Sequence, residues 1–157
     1  MLTKTLKFLT LGLLTLVTLT AQAIEVDNAW IREAPPSAQM LGGFMTIKND
    51  SANDMVLVGA HSKAFSMIML HRTVEKDGMA RMIEQDKVVI PAHGMVVFKP
   101  GDYHIMMPNP AKRLVEGDKV TITLEFEGGK EVDVEFTVRK GQMPMHNMDG
   151  MDMGHHH

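Results

Sequence analysis

Two short stretches of the chain combine imidazole and thioether side chains at the spacing of β-strands. In "GDYHIMMPNP", residues 101–110, His104 and Met106 are two positions apart. An extended backbone directs alternate residues to the same face, so both side chains share one face, and Ile105 and Met107 share the other. Strands usually carry branched residues at such positions. A histidine with two methionines therefore indicates a role beyond packing.

The second stretch is "MLHRTVEKDGMARMIE", residues 69–84, which has the pattern of a β-hairpin. If "EKDG" forms a four-residue loop, His71 lies directly opposite Met82 on a face that is not the core. The other cross-strand pairs of this register are Leu70–Ile83 and Val74–Met79 on a core face, and the like-charged Arg72–Arg81.

The two His and Met pairs have the chemistry of a soft-metal site. Thioethers are neutral and soft, so they favour Cu(I) over Cu(II), Zn(II) or Mg(II), and neutral imidazole suits both copper states. The alternative is that the histidines are surface or hydrogen-bonded residues and the methionines are packing. We assign that simpler role to five further residues: His61 and His93 as surface or hydrogen-bonded, and Met45, Met55 and Met67 as core filler.

The first 23 residues have the features of an export signal. Lys4 and Lys7 precede an apolar run, and "AQA" at 21–23 has the form of a signal-peptidase site. We expect an exported mature chain that begins near Ile24 and does not span a membrane. Its 19 acidic and 14 basic side chains give a net charge of about −5, which argues against nucleic-acid binding.

The chain contains no cysteine. This excludes disulfides, a lipid-anchoring cysteine, a zinc ribbon, a blue-copper centre and a thiol nucleophile. The core must therefore hold without covalent links.

Residues 24–140 have the pattern of one all-β domain. Apolar residues alternate at period two in ten short runs, and Gly, Pro, Asn and Asp separate the runs. Each of the last two runs is expected to bury one apolar face. The apolar residues are Val120, Ile122, Leu124 and Phe126 in the first run and Val132, Val134, Phe136 and Val138 in the second. We predict a β-sandwich or small barrel with Greek-key connections.

Residues 141–157, "GQMPMHNMDGMDMGHHH", differ sharply in composition from the rest. This tail has no branched or aromatic residue, so we expect it to be disordered when free. Short Met- and His-rich tracts are typical of metal binding. The candidate auxiliary ligands for Cu(I) or Cu(II) are Met143, Met145, His146, Met148, Met151, Met153, His155, His156 and His157.

The spacing of His71, Met82, His104 and Met106 resembles the H(M)x10Mx21HxM copper motif of periplasmic copper chaperones of the PCu(A)C type. "AWIREAPP", "GGFMTIKN", "PGDYHIMM" and "LVEGDKVTITLEFEGG" resemble the family too. At residue 72, where many members have Met, this chain has Arg. The resemblance implies a cupredoxin-like sandwich that binds one Cu(I) through these four residues. It also implies delivery to a copper acceptor protein, notably for assembly of the copper centre of cytochrome c oxidase.

The resemblance leaves alternatives in other functional classes. The protein could sequester copper for tolerance, with the tail as the main reservoir. A copper redox enzyme is a weaker interpretation, because no acid/base pair is evident. A plain exported sandwich for adhesion or subunit contact would use its methionines only for packing. We expect a carrier and not an enzyme.

Overall fold

The computed structural model describes residues 24–141 and confirms the all-β prediction. Regular structure in this part consists of ten strands. Their bounds are β1 Ile24–Arg32, β2 Met40–Asn49, β3 Met55–His61, β4 Met69–Lys76, β5 Met79–Glu84, β6 Val88–Ile90, β7 Gly94–Phe98, β8 Tyr103–Pro108, β9 Lys119–Phe126 and β10 Lys130–Arg139. The expected signal, residues 1–23, and residues 142–157 of the expected tail lie outside the described part.

The strands form one curled sheet in the order β5-β4-β8-β2-β1-β10-β9-β3-β6, and β7 also pairs with β2. The β1–β10 pair is parallel and the other pairs are antiparallel. β2 changes partner along its length, since residues 40–43 pair with β8 and residues 45–49 pair with β7. β6 contacts β2 and β7, so the sheet folds back on itself as a β-sandwich.

The core lies inside this curled sheet, and the predicted dry faces of the last two strands are confirmed. Seven of the eight predicted apolar residues of β9 and β10 are buried, and Val132 is partly buried against the core. Of the methionines expected in the core, Met45 is buried and Met55 packs partly buried against it. The expectation was wrong for Met67, which lies just before β4 and is 54% exposed.

Gly43 sets how closely β8 approaches β2. It pairs with Ile105, and a Cβ at Gly43 would lie 2.6 Å from the Ile105 Cγ1. Because Ile105 is fully buried, it has no space into which it could retreat. The absence of a side chain at Gly43 therefore allows β8 to dock.

Replacement of Gly43 by alanine is expected to lower the free energy of unfolding by about 1–3 kcal/mol through overpacking. Gly42→Ala is the matched control, because the nearest atom to its Cβ would be the Phe44 Cζ at 3.4 Å. That variant should change stability by no more than about 0.5 kcal/mol. Chemical denaturation of both variants tests this, and equal destabilisation would contradict the role assigned to Gly43.

Candidate metal centre

β4 and β8 bring the two predicted histidines together. They pair so that His71 lies directly opposite His104, and Met69 lies directly opposite Met106. The intervening Leu70 and Ile105 are 4% and 0% exposed, so period-two alternation places the histidines on the face away from the core. The imidazole centroids are 5.8 Å apart, and the rings meet edge to face.

His104 is held by the backbone of the turn before β8. Its Nδ1 lies 2.9 Å from the carbonyl oxygen of Asp102. A carbonyl oxygen only accepts hydrogen bonds, so Nδ1 is the donor and the neutral ring has its lone pair on Nε2. The same carbonyl accepts the backbone N–H of Thr73 at 3.1 Å, which ties the turn to β4.

Two imidazole nitrogens at this position have no hydrogen-bond partner among the described residues. They are His104 Nε2 and His71 Nδ1, and both are buried. A buried polar atom without a partner costs about 1–3 kcal/mol, so two on neighbouring rings are unusual. Lone pairs in this situation suit a metal ion, and the Asp102 carbonyl is the kind of partner that orients a ligating histidine.

The electrostatic environment favours the neutral form of His71. Burial lowers the pKa of His71 below its usual value, the neighbouring His104 lowers the pKa further, and Glu84 partly opposes both effects. Glu84 lies directly opposite His71 on β5. A neutral imidazole has a free lone pair, so this environment favours metal binding over protonation.

The predicted register of the β4–β5 hairpin is wrong by two residues. The loop is the two-residue Asp77–Gly78 turn, and both residues have positive φ, 56° and 72°, as in a type I′ turn. Lys76 therefore pairs with Met79, Thr73 with Met82 and His71 with Glu84. The predicted opposite pairs His71–Met82, Leu70–Ile83, Val74–Met79 and Arg72–Arg81 do not form.

A shift of two residues leaves every side chain on its predicted face. Met82 is therefore on the same face as His71, as a diagonal neighbour. However, the predicted core face of the hairpin is wrong at β5, where Met79 is 55% and Ile83 47% exposed. β5 is the edge strand of the sheet, and no layer formed by residues 24–141 covers it. Met82 is 63% exposed at this edge.

Arg72 faces away from the histidines, as its neighbour Leu70 does. Its guanidinium lies 4.7 Å from the ring centroid of Tyr103, and its Nε lies 3.2 Å from Asp102 Oδ1. The side chain at position 72 therefore fastens the Asp102 turn from the other side of the sheet.

The remaining described histidines lie elsewhere. His93 has a φ of 53° in the turn before β7, and His61 Nδ1 lies 2.8 Å from Glu125 Oε1. Glu131 lies opposite Glu125, so these three side chains form an exposed group whose ligand-type atoms lie within 4.8 Å of one another. This group is not apparent from the sequence, because its residues come from three strands.

The structure thus brings His71, His104, Met106 and Met82 to one face, while the predicted tail ligands lie outside the described residues. Met69 also lies on this face and was not among the predicted site residues. Its position two residues before His71 is the signal that could have identified it, because alternate strand residues share a face.

Comparison with known proteins identifies the family. Residues 24–138 match the family described as "Putative lipoprotein LpqE-like". The "Putative lipoprotein Lxx21020" of Leifsonia xyli subsp. xyli is 33% identical over 120 residues, which cover 76% of this chain and 71% of that protein. Uncharacterized protein RP573 of Rickettsia prowazekii is 30% identical over 96 residues, covering 60% of this chain and 53% of that protein. The lipoprotein names agree with the predicted export, and no helix in residues 24–141 could span a membrane.

Solved structures include two close matches in fold. The Cu(I) form of DR1885 from Deinococcus radiodurans is 32% identical with a TM-score of 0.61, covering 73% of this chain and 76% of that one. The copper-bound PCuAC domain from PmoF2 has a TM-score of 0.65 at 21% identity, covering 76% of this chain and 94% of that one. At this identity it supports the fold alone. The cupredoxin-like sandwich and the resemblance to PCu(A)C-type proteins are thereby confirmed, and the chain belongs to the LpqE-like family.

Proposed function

We propose that this protein is an exported, periplasmic Cu(I) carrier that binds one ion through His71, Met82, His104 and Met106. The observation that carries this proposal is the pair of buried imidazole nitrogens that have no hydrogen-bond partner among the described residues, on adjacent strands and on one face with two thioethers. The Cu(I) form of DR1885, a relative of similar fold, supports the choice of ion.

The ligand chemistry suits transfer rather than catalysis. All four side chains are neutral, so the bound ion keeps its single positive charge, and soft thioethers favour Cu(I). Met82 is 63% exposed, which gives an acceptor protein direct access to one ligand. An acceptor with thiolates could then take the ion by stepwise ligand exchange. We propose the assembly of the copper centre of cytochrome c oxidase as the destination.

The proposal is tested by titrating the mature protein with Cu(I) against a Cu(I)-specific chelator under anaerobic, reducing conditions. The titration is repeated on a chain that lacks residues 141–157. One tightly bound equivalent should survive removal of the tail, because the four ligands lie within the folded part. If tight binding disappears with the tail, the folded site is not the principal one.

The composition of the tail favours a second candidate function, copper sequestration for tolerance. Nine of its seventeen residues are Met or His. If the tail is the main reservoir, its removal should eliminate most of the bound copper and leave the folded site with a minor share. The same pair of titrations therefore distinguishes storage from delivery.

A further inference from the structure

Met69 is a thioether beside the histidine pair that lies outside the sequence motif. It is on β4 directly opposite Met106 of β8, and it is half-buried. Directly opposite residues of antiparallel strands share a face, with Cβ atoms about 4.5–5.5 Å apart. Met69 therefore lies on the same face as His71, His104 and Met106.

The side chains of Met69, His71, His104 and Met106 form two adjacent cross-strand pairs on β4 and β8. His71 and His104 are one cross-strand pair, and Met69 and Met106 are the next pair on that face. Successive same-face residues of a strand are about 6.5–7 Å apart. An ion bound between the two imidazoles therefore has Met69 on the β4 side and Met106 on the β8 side at similar distances.

Met82 lies further from Met106 along the sheet than Met69 does. It lies opposite Thr73, which is on the other side of the histidine pair from Met106, and β5 is one strand further from β8 than β4 is. In a flat sheet, four residues along the strand and two strand spacings would put the Cα atoms of Met82 and Met106 about 16 Å apart. Met82 can therefore share an ion with Met106 only where curvature of the sheet at β4 and β5 brings the two thioethers closer than this flat-sheet value. Met69 requires no such curvature.

We propose that Met69 is a third thioether ligand of the Cu(I) site, an inference that rests on the proposed function. On β4 and β8, the ion is held by His71, His104, Met69 and Met106. Met82 joins where the curvature of the sheet brings its thioether to the ion, and it can then exchange with Met69. Met82 is then the exposed thioether nearest to an acceptor, while Met69 keeps the ion in place when Met82 is released.

The test is Met69→Leu in the full mature chain, since leucine conserves volume and should leave the fold intact. Loss of a metal ligand should weaken Cu(I) affinity by about tenfold or more, at least as much as loss of an outer-shell partner. X-ray absorption at the copper edge should show fewer sulfur neighbours than in the unmodified protein. Met55→Leu is the matched control, because Met55 is also half-buried but lies on β3. It should change neither quantity.

Unchanged affinity and an unchanged sulfur count in Met69→Leu would overturn the role of Met69. A variant that combines His71→Leu and His104→Leu reports binding by the rest of the chain, including the tail. If that variant binds Cu(I) as tightly as the unmodified protein, the proposed function itself fails. If it loses tight binding while Met69→Leu retains it, only the inference about Met69 fails.

Discussion

Replacement of His104 by leucine is expected to lower Cu(I) affinity by more than about 100-fold, since loss of an outer-shell partner alone costs about 10–100-fold. The free energy of unfolding of this variant should change little. His104 Nε2 has no hydrogen-bond partner in residues 24–141, so its removal forfeits no bond there. The bond from Nδ1 to the Asp102 carbonyl is lost, at a cost of about 0.5–1.5 kcal/mol. Competition titration and chemical denaturation of the same variant measure the two effects.

His61→Leu is the matched control for that experiment. His61 is exposed on β3 and bonded to Glu125, away from the β4–β8 pair. Its replacement should leave the affinity of the folded site for Cu(I) unchanged. The assignment of the site would be contradicted if the two variants lost affinity equally, or if His104→Leu retained tight binding.

The tail-deleted chain is expected to bind Cu(I) more tightly than Zn(II) by several orders of magnitude. Zn(II) prefers imidazole, thiolate and carboxylate ligands in a tetrahedral set, whereas thioethers contribute to soft Cu(I). Next to His71 and His104 on β4 and β8, the same face carries the thioethers of Met69 and Met106. The carboxylate of Glu84, which Zn(II) could accept, lies on the exposed edge strand β5. Parallel competition titrations with the two metals measure the selectivity.

Met106→His should narrow this selectivity, because it replaces a soft thioether with an imidazole that Zn(II) also accepts. Met95→His is the control, since Met95 is 57% exposed on β7 and outside the site. Comparable affinities for Zn(II) and Cu(I) in the unmodified site would contradict a Cu(I) carrier.

The strands and their faces could be predicted from local pattern. Alternation at period two in residues 103–107 placed His104 and Met106 together and sent Ile105 and Met107 to the core, where both are fully buried. The hairpin register also has a local signal, because Asp77–Gly78 is typical of a two-residue turn. The prediction of a four-residue loop was wrong because it gave this dipeptide no weight. The predicted face of Met82 was still correct, because the register error was an even number of residues.

The partner of each strand could not be predicted in this way. β4 and β8 are separated by three strands in the chain, and the alternation of a strand specifies its faces but not its neighbours. Only the folded sheet places His71 opposite His104 and pairs Met69 with Met106. The exposure of β5 was likewise decided by its place at the sheet edge.

The chemistry of the site therefore has two origins. Residue types and period-two spacing specify soft, neutral donors on solvent-side faces, because side-chain direction in a strand is a local property. Their placement side by side on one face depends on non-local strand pairing and on the docking of β8 at Gly43. The packing around the two imidazoles leaves His71 Nδ1 and His104 Nε2 without a hydrogen-bond partner in residues 24–141, and that packing exists only in the assembled sandwich.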